Sequence, residues 1–120
     1  MKSEIKIIIF SILLAGCNKQ SSNYSYNSAR ALELYKKETC ITCHSLDGTR
    51  RMGPSLKGIY GNKVELANGN VVERDDEYLR DAIVKPDLHI VKGYPSMINS
   101  FSHLSDTEIE ILIRFIKELK

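Results

Sequence analysis

Cys40, Cys43 and His44 give the clearest chemical signal in the chain, because they stand together as Cys40-Ile41-Thr42-Cys43-His44. Cys-x-x-Cys-His is the attachment motif of c-type haem. One helical turn between the thiols would place them at the two vinyl groups along one porphyrin edge. The next residue would then direct its imidazole at the iron. The motif therefore predicts one covalently bound haem.

Three other interpretations of the motif have to be compared with this one. A thioredoxin-like redox pair needs a βαβ context, and no strand is predicted before Cys40. A zinc site would need two further ligands from His89 or His103, and there is no second Cys-x-x-Cys. A disulfide between Cys40 and Cys43 would close almost no loop. Haem attachment is the interpretation that the surrounding residues favour.

Three predicted helices have to position the motif. The first runs from Ser28, which can cap it, to about Thr39, with Leu32, Tyr35 and Lys36 on one side. It leads directly into the motif. The residues 45–62 that follow are predicted to be irregular, because they contain several breakers, namely Gly48, Gly53, Pro54, Gly58 and Gly61.

The second half of the chain is predicted to hold a hairpin and two helices. Residues 64–66 and 71–72 flank Asn68-Gly69, a strong hairpin signal. A helix capped by Asp75 or Asp76 should stop before Pro86. The last helix starts with a Ser105/Glu108 capping box. Its apolar face consists of Ile109, Leu112, Ile113 and Ile116.

Length and composition restrict the class of protein. The chain has 120 residues, 42% hydrophobic, with a net charge of +2. The hydrophobic content excludes a fully disordered chain. The small net charge excludes a protein that binds nucleic acid through its overall charge. A domain of about 90 residues with long loops buries a small core, and such domains often need a metal, a disulfide or a cofactor. A cofactor is therefore expected on these grounds as well.

The N-terminus is predicted to be a targeting segment. A cationic start precedes the apolar residues 7–15, which are too few to span a bilayer. Leu14-Ala15-Gly16-Cys17 resembles the lipobox of bacterial lipoproteins, which implies cleavage before Cys17 and acylation of its thiol. We thus expect a signal peptide over residues 1–16, a lipidated Cys17 with a flexible tether over residues 17–27, and a domain over residues 28–120. An ordinary signal peptide or a short membrane anchor is the alternative.

From about Ala29 to Lys120 the chain resembles the class I cytochrome c family. The residues that carry the likeness are Ala31-x-x-Leu34-Tyr35, the Cys40–His44 motif and Gly53-Pro54-Ser55-Leu56-x-Gly58-x-Tyr60-Gly61. It is similar in particular to the cytochrome c domain of subunit II of bacterial haem-copper oxidases. The resemblance implies an all-α cytochrome c fold, with three main helices and long loops around one haem c. A small β-hairpin is inserted near residues 64–72.

The resemblance also implies roles for individual residues. Cys40 and Cys43 would form the thioethers and His44 would be the proximal ligand. The Pro54 carbonyl would accept a hydrogen bond from Nδ1–H of that imidazole. Three residues would line the haem crevice, namely Leu56, Tyr60 and Tyr94. Two helix residues, Tyr35 and Phe115, would form the contact where the first and last helices cross, with Ala31 at the position usually held by glycine.

Met97 is the expected sixth ligand by the same resemblance. It lies in the loop before the last helix, whereas Met52 lies on the proximal side and is interpreted as packing. An ungapped overlay on the relatives puts Ile98 at the ligand position, one residue after Met97. His89 and His103 are the competing ligands. A Met/His pair raises the reduction potential relative to two histidines.

These expectations combine into a membrane-tethered electron carrier of the bacterial cell envelope, exported and facing the periplasm. It would pass single electrons in a respiratory chain and would not be an enzyme. The expected partners are a haem-copper oxidase or a quinol dehydrogenase, with no nucleic acid and no small-molecule substrate. The alternatives are a redox or gas sensor with a labile sixth ligand and, with least support, a peroxidase. The sensor would need an open sixth position, and the peroxidase would also need distal acid–base residues.

Overall fold

The computed structural model describes residues 20–96 and 99–120, with side chains from Asn27 onward. The predicted signal peptide, Cys17 and Met97 lie outside the described residues. The described elements are helix α1 (Gln20–Lys37), helix α2 (Cys40–Cys43), strand β1 (Lys63–Glu65), strand β2 (Val71–Glu73), helix α3 (Asp76–Val84), a 3₁₀ turn (Pro86–His89) and helix α4 (Asp106–Glu118). None of the described helices is long and apolar enough to cross a membrane.

Helix α1 begins at Gln20, whereas the sequence predicted a flexible tether up to residue 27 and a helix from Ser28. This corrects the tether prediction for residues 20–27. The segment Gln20–Lys37 contains no Gly or Pro, and a helix that is already nucleated extends at little cost through polar residues. The buried face also differs from the prediction, because Ala31, Leu34 and Tyr35 are buried while Lys36 is exposed.

Helices α1 and α4 pack against each other, and α4 follows the sequence prediction closely. Its Ser105/Glu108 capping box is complete, since each residue's side chain accepts a hydrogen bond from the other residue's backbone N–H. Its buried residues are the four predicted ones, Ile109, Leu112, Ile113 and Ile116. Together with Leu34, Leu66, Tyr78, Leu79 and Leu104 they form the hydrophobic core. This confirms the predicted core face of the last helix.

The hairpin and helix α3 also form where the sequence predicts them. Strands β1 and β2 are antiparallel, with Val64 opposite Val72, and Gly69 in the turn has φ +87°, which favours glycine. Asp75 caps α3 by accepting a hydrogen bond from the backbone N–H of Tyr78. The helix ends ahead of Pro86, which cannot continue it. The hairpin touches the rest of the domain through a bridge between Leu66 and Val91.

Candidate haem site

The two motif thiols lie on the short helix α2, which a left-handed residue separates from α1. Thr39 has φ 59° and is the one described non-glycine residue with positive φ. It turns the chain so that α2 starts at Cys40, and the His44 N–H then donates to the Cys40 carbonyl at 2.9 Å. Cys40 and Cys43 are half-buried. Burial raises the pKa of the Cys40 thiol, partly offset by a backbone hydrogen bond.

The His44 ring is fixed by the loop that follows the motif. Its Nδ1 lies 2.7 Å from the Pro54 carbonyl oxygen. A carbonyl can only accept, so Nδ1 carries the hydrogen and Nε2 keeps its lone pair. The contact between His44 and Pro54 expected from the resemblance is thus present. It leaves Nε2 as the nitrogen able to bind a metal.

The imidazole ring of His44 packs directly against Gly53. A Cβ at Gly53 would lie 2.5 Å from His44 Cε1 and 2.8 Å from Nδ1, which is closer than atoms can pack. The Gly53 N–H also donates to the Cys43 carbonyl at 2.8 Å. Gly53 is therefore required by the close approach of the imidazole.

The backbone of His44 is held by Tyr35. The Tyr35 hydroxyl donates to the His44 carbonyl, and the side chain is 2% exposed. Burial raises the pKa of Tyr35, although the nearby Arg51 cation lowers it. The hydroxyl therefore stays protonated and able to donate. The resemblance implied that Tyr35 forms the contact where α1 crosses α4. The hydrogen bond to the His44 carbonyl gives Tyr35 a second role.

A cavity of about 440 Å³ opens beside Cys40, Cys43 and His44. Leu56 and Tyr94 line it as expected, and so do Tyr35 and Phe115. Most of the other lining residues are apolar, among them Leu79, Ala82, Ile83, Ile90, Phe101, Leu104, Leu112 and Ile116. An apolar cleft with a few polar groups is the usual form of a cofactor site.

Tyr60 does not line the cavity, which corrects the expectation for this residue. It is 37% exposed, and the Lys117 Nζ lies 4.6 Å from the centre of its ring. Gly61, which follows it, has φ +76° and donates its N–H to the Arg74 carbonyl. The chain thus turns toward the hairpin at this point and leaves Tyr60 near the end of α4.

The two histidines that compete with Met97 have other contacts. His103 Nε2 lies 2.9 Å from Glu38 Oε2, at an exposed position. His89 lines the cavity, with its ring stacked on Tyr78 at 4.8 Å between centroids and its Nε2 3.5 Å from Asp81 Oδ2. Within the described ranges no group of three or more His, Cys, Asp or Glu side chains could hold a metal ion.

Sequence reasoning assigned no cavity role to Arg74 and considered His89 only as a competing ligand, and both residues line the cavity. Neither belongs to a local motif that could have indicated this. Their positions depend on how the hairpin and the 3₁₀ turn fold against the helices, which the sequence pattern did not show. Gly53-Pro54 is part of the segment that carries the family resemblance. The contact between Gly53 and the imidazole was not predicted from it.

Comparison with known proteins agrees with this geometry. The profile of the cytochrome c family matches residues 28–120. Cytochrome c oxidase subunit 2 of Bacillus subtilis (strain 168) is 27% identical over 116 residues, which cover 88% of this chain and 31% of that protein. The chain thus spans about a third of the length of this curated relative. Cytochrome cH from Methylobacterium extorquens has a similar fold, with a TM-score of 0.56 at 20% identity over 75% of this chain and 96% of that one.

Proteins with this profile bind one haem c through two thioethers, and the residues present fit that group. The thiols of Cys40 and Cys43 border the cavity, and His44 offers an Nε2 lone pair beside them. Most of the lining is apolar, which suits the apolar ring of a tetrapyrrole. Cys40, Cys43 and His44 are therefore the residues that would hold the haem.

Proposed function

Because the chain belongs to the cytochrome c family, we propose that it is a membrane-anchored carrier of single electrons in a bacterial respiratory chain. The haem, when bound, supplies reversible one-electron chemistry. The residues of the chain fix its ligand, exclude water and provide a docking surface. The observation that carries the proposal is the fixed His44 ring, with Nδ1 bonded to Pro54 and Nε2 left to bind iron.

The proposed sixth ligand is Met97. Residues on both sides of it line the cavity, namely Tyr94, Pro95, Asn99 and Phe101. These flanks are tied to the domain, because Arg50 donates to the Gly93 carbonyl at 2.5 Å and the Ser100 hydroxyl donates to the Val84 carbonyl at 2.6 Å. A loop whose two ends both border the cavity is well suited to provide the distal ligand.

The optical spectrum tests this ligand. We expect the oxidised wild-type protein to show the weak far-red sulfur-to-Fe(III) band, and Met97→Ala to lose it. Met52→Ala is the matched control, because Met52 is 56% exposed and lies on the proximal stretch. A band that survives Met97→Ala, or that disappears in Met52→Ala, would refute the assignment. No band in the wild type would reopen the sensor interpretation.

The proposed docking surface lies beside the motif. Ile41 and Met52 are 41% and 56% exposed, and the cations Arg50 and Arg51 are exposed nearby in the chain. Small, transient interfaces are typical of redox encounters. We expect Ile41→Glu to slow electron transfer to the partner without changing the optical spectrum, because Ile41 is exposed and does not line the cavity. An unchanged rate would exclude this surface.

The proposed acceptor is a terminal oxidase, supported by the similarity to a protein named cytochrome c oxidase subunit 2. The proposed anchor is acyl chains on Cys17, which would raise the local concentration of the cytochrome near a membrane partner. Mass spectrometry of the mature protein and of Cys17→Ser tests the anchor. Reoxidation of the reduced protein by membranes of the source bacterium, with and without cyanide, tests the acceptor.

A further inference from the structure

Arg50 makes two contacts with one short segment of the chain. Its Nη2 donates to the Gly93 carbonyl at 2.5 Å, and its guanidinium carbon lies 4.0 Å from the centre of the Tyr94 ring. Arg50 is an exposed residue, so burial does not force it into this position. The hydrogen bond and the cation–π contact together fix the guanidinium relative to this segment.

The loop that carries Arg50, residues 45–53, is tied to the attachment motif at both ends. Ser45 directly follows the motif and is 2% exposed, and its hydroxyl donates to the Thr49 carbonyl at 2.6 Å. At the other end, the Gly53 N–H donates to the carbonyl of the second motif cysteine at 2.8 Å. Arg50 therefore extends from a loop whose position is fixed relative to the proximal imidazole.

The segment that Arg50 contacts is held from its other side by the hairpin. The Lys92 N–H donates to the Glu65 carbonyl at 3.0 Å, and the Tyr94 N–H donates to the Val91 carbonyl at 3.0 Å. Tyr94 is half-buried and lines the cavity, as does Val91. The Tyr94 ring is thus part of the cavity wall and is contacted by Arg50 at the same time.

The position of Tyr94 restricts where the proposed sixth ligand can reach, because Met97 follows it by three residues. Three residues span at most about 11 Å when fully extended. We propose that Arg50 is a positioning residue for the distal ligand. It holds Tyr94 in the cavity wall, through the ring and through the Gly93 carbonyl, and so slows exchange of the distal ligand for external ones. This inference rests on the proposed Met97 ligand.

The proposed role depends on the shape of the arginine side chain and not only on its charge. A planar guanidinium can stack on a ring and donate to a carbonyl in the same geometry, whereas a lysine ammonium is a point charge on a flexible stem. Arg50→Lys keeps the charge and should therefore restore only part of the effect. An Arg50→Lys protein with the exchange rate of the wild type would show that charge alone is enough, and would overturn the positioning role.

Stopped-flow binding of cyanide to the oxidised holoprotein measures this exchange. In the wild type the rate should level off at high cyanide concentration, because the resident ligand has to leave first. We expect Arg50→Gln to raise this limiting rate about tenfold, which corresponds to about 1.4 kcal/mol, and Arg50→Lys to raise it less. Arg114→Gln, an exposed site on α4 outside the cavity, is the matched control and should leave the rate unchanged.

Two further measurements test whether Arg50 acts through Tyr94. In a Tyr94→Leu background, which lacks the ring, Arg50→Gln should raise the limiting rate by a smaller factor than it does in the wild type. Equal factors in the two backgrounds would overturn the role of the ring. In NMR spectra of the reduced wild type we expect nuclear Overhauser effects between the Arg50 side-chain protons and the Tyr94 ring protons, and their absence would contradict the contact itself.

The outcomes separate this inference from the proposed function. A wild-type rate that rises with cyanide concentration without levelling off would show an open sixth position and overturn both. A rate that levels off at the same value in the wild type, Arg50→Gln and Arg114→Gln would overturn this inference alone. A merely structural role would lower the free energy of unfolding of Arg50→Gln in guanidinium without changing the limiting rate. Should Arg50→Gln fail to accumulate, Arg50→Lys and the wild-type NMR contacts still decide.

Discussion

Replacement of Gly53 by alanine should damage the site more than its single added methyl group would suggest. The new Cβ would lie 2.5 Å from His44 Cε1, 2.8 Å from Nδ1 and 3.0 Å from Nε2. An ordinary contact needs about 3.5 Å, so the imidazole or the loop has to move by about 1 Å. The ring cannot move freely, because its Nδ1 is bonded to the Pro54 carbonyl.

The expected cost combines two effects. Overpacking typically destabilises a protein by about 1–3 kcal/mol, and loss of the Nδ1–H bond adds about 1 kcal/mol. We therefore expect Gly53→Ala to lower the free energy of unfolding by about 2–4 kcal/mol. Loss of that hydrogen bond also makes the imidazole a weaker donor to Fe(III), so the reduction potential should rise.

Guanidinium unfolding of the holoprotein and a potentiometric titration measure these two effects. Gly48→Ala is the control, since nothing lies within 4 Å of its Cβ position but φ is +94°. It should cost about 1 kcal/mol through the backbone alone and leave the potential unchanged. A Gly53→Ala protein as stable as Gly48→Ala, with the wild-type potential, would refute the idea that Gly53 supports the ring.

Three further predictions concern residues around this site. Tyr35→Phe removes the donor to the His44 carbonyl, so the free energy of unfolding should fall by about 1 kcal/mol; an unchanged value in denaturant unfolding would contradict this. Thr39→Asn relieves a β-branched residue at φ 59° and should raise stability by about 1 kcal/mol, whereas a loss in the same assay would show that Thr39 is needed for another reason. The hydrogen bond from Lys117, followed by that from Tyr60, lowers the pKa of Asp76, so its stabilising effect is present above about pH 4 and is lost as the pH falls through the lowered pKa. Lys117→Gln should therefore flatten the acid side of the stability–pH curve relative to Lys120→Gln, and parallel curves would contradict the link.

Local signals in the sequence predicted the elements that have strong local causes. The Ser105/Glu108 capping box and the apolar face of α4 identify that helix and its buried side correctly. Asn68-Gly69 locates the hairpin turn, and Asp75 with Pro86 bounds α3. In each case a residue fixes its own backbone conformation, so no tertiary information is needed.

The positions of Tyr60 and Arg74 depend on long-range packing, whereas the misplaced start of α1 has a local cause. The start of α1 was placed at Ser28, but the helix extends back to Gln20 because nothing in that polar stretch breaks it. Tyr60 was expected in the crevice, but the turn at Gly61 and the neighbouring Lys117 keep it outside. Arg74 reaches the cavity through the hairpin fold, which no local pattern shows.

The core of the site was predictable because its chemistry is encoded in adjacent residues. Cys40, Cys43 and His44 border one cavity, and Pro54 contacts the imidazole as the resemblance implies. Met97 and Cys17 stay predictions, since both lie outside the described residues.

A potentiometric titration of the purified holoprotein, followed optically with and without carbon monoxide, tests the central claim most directly. An electron carrier with both axial positions filled should show one reversible one-electron transition. Carbon monoxide should change neither its midpoint nor the spectrum of the reduced protein. A spectrum or midpoint that responds to carbon monoxide would reveal an open or labile sixth position and contradict the electron-carrier account.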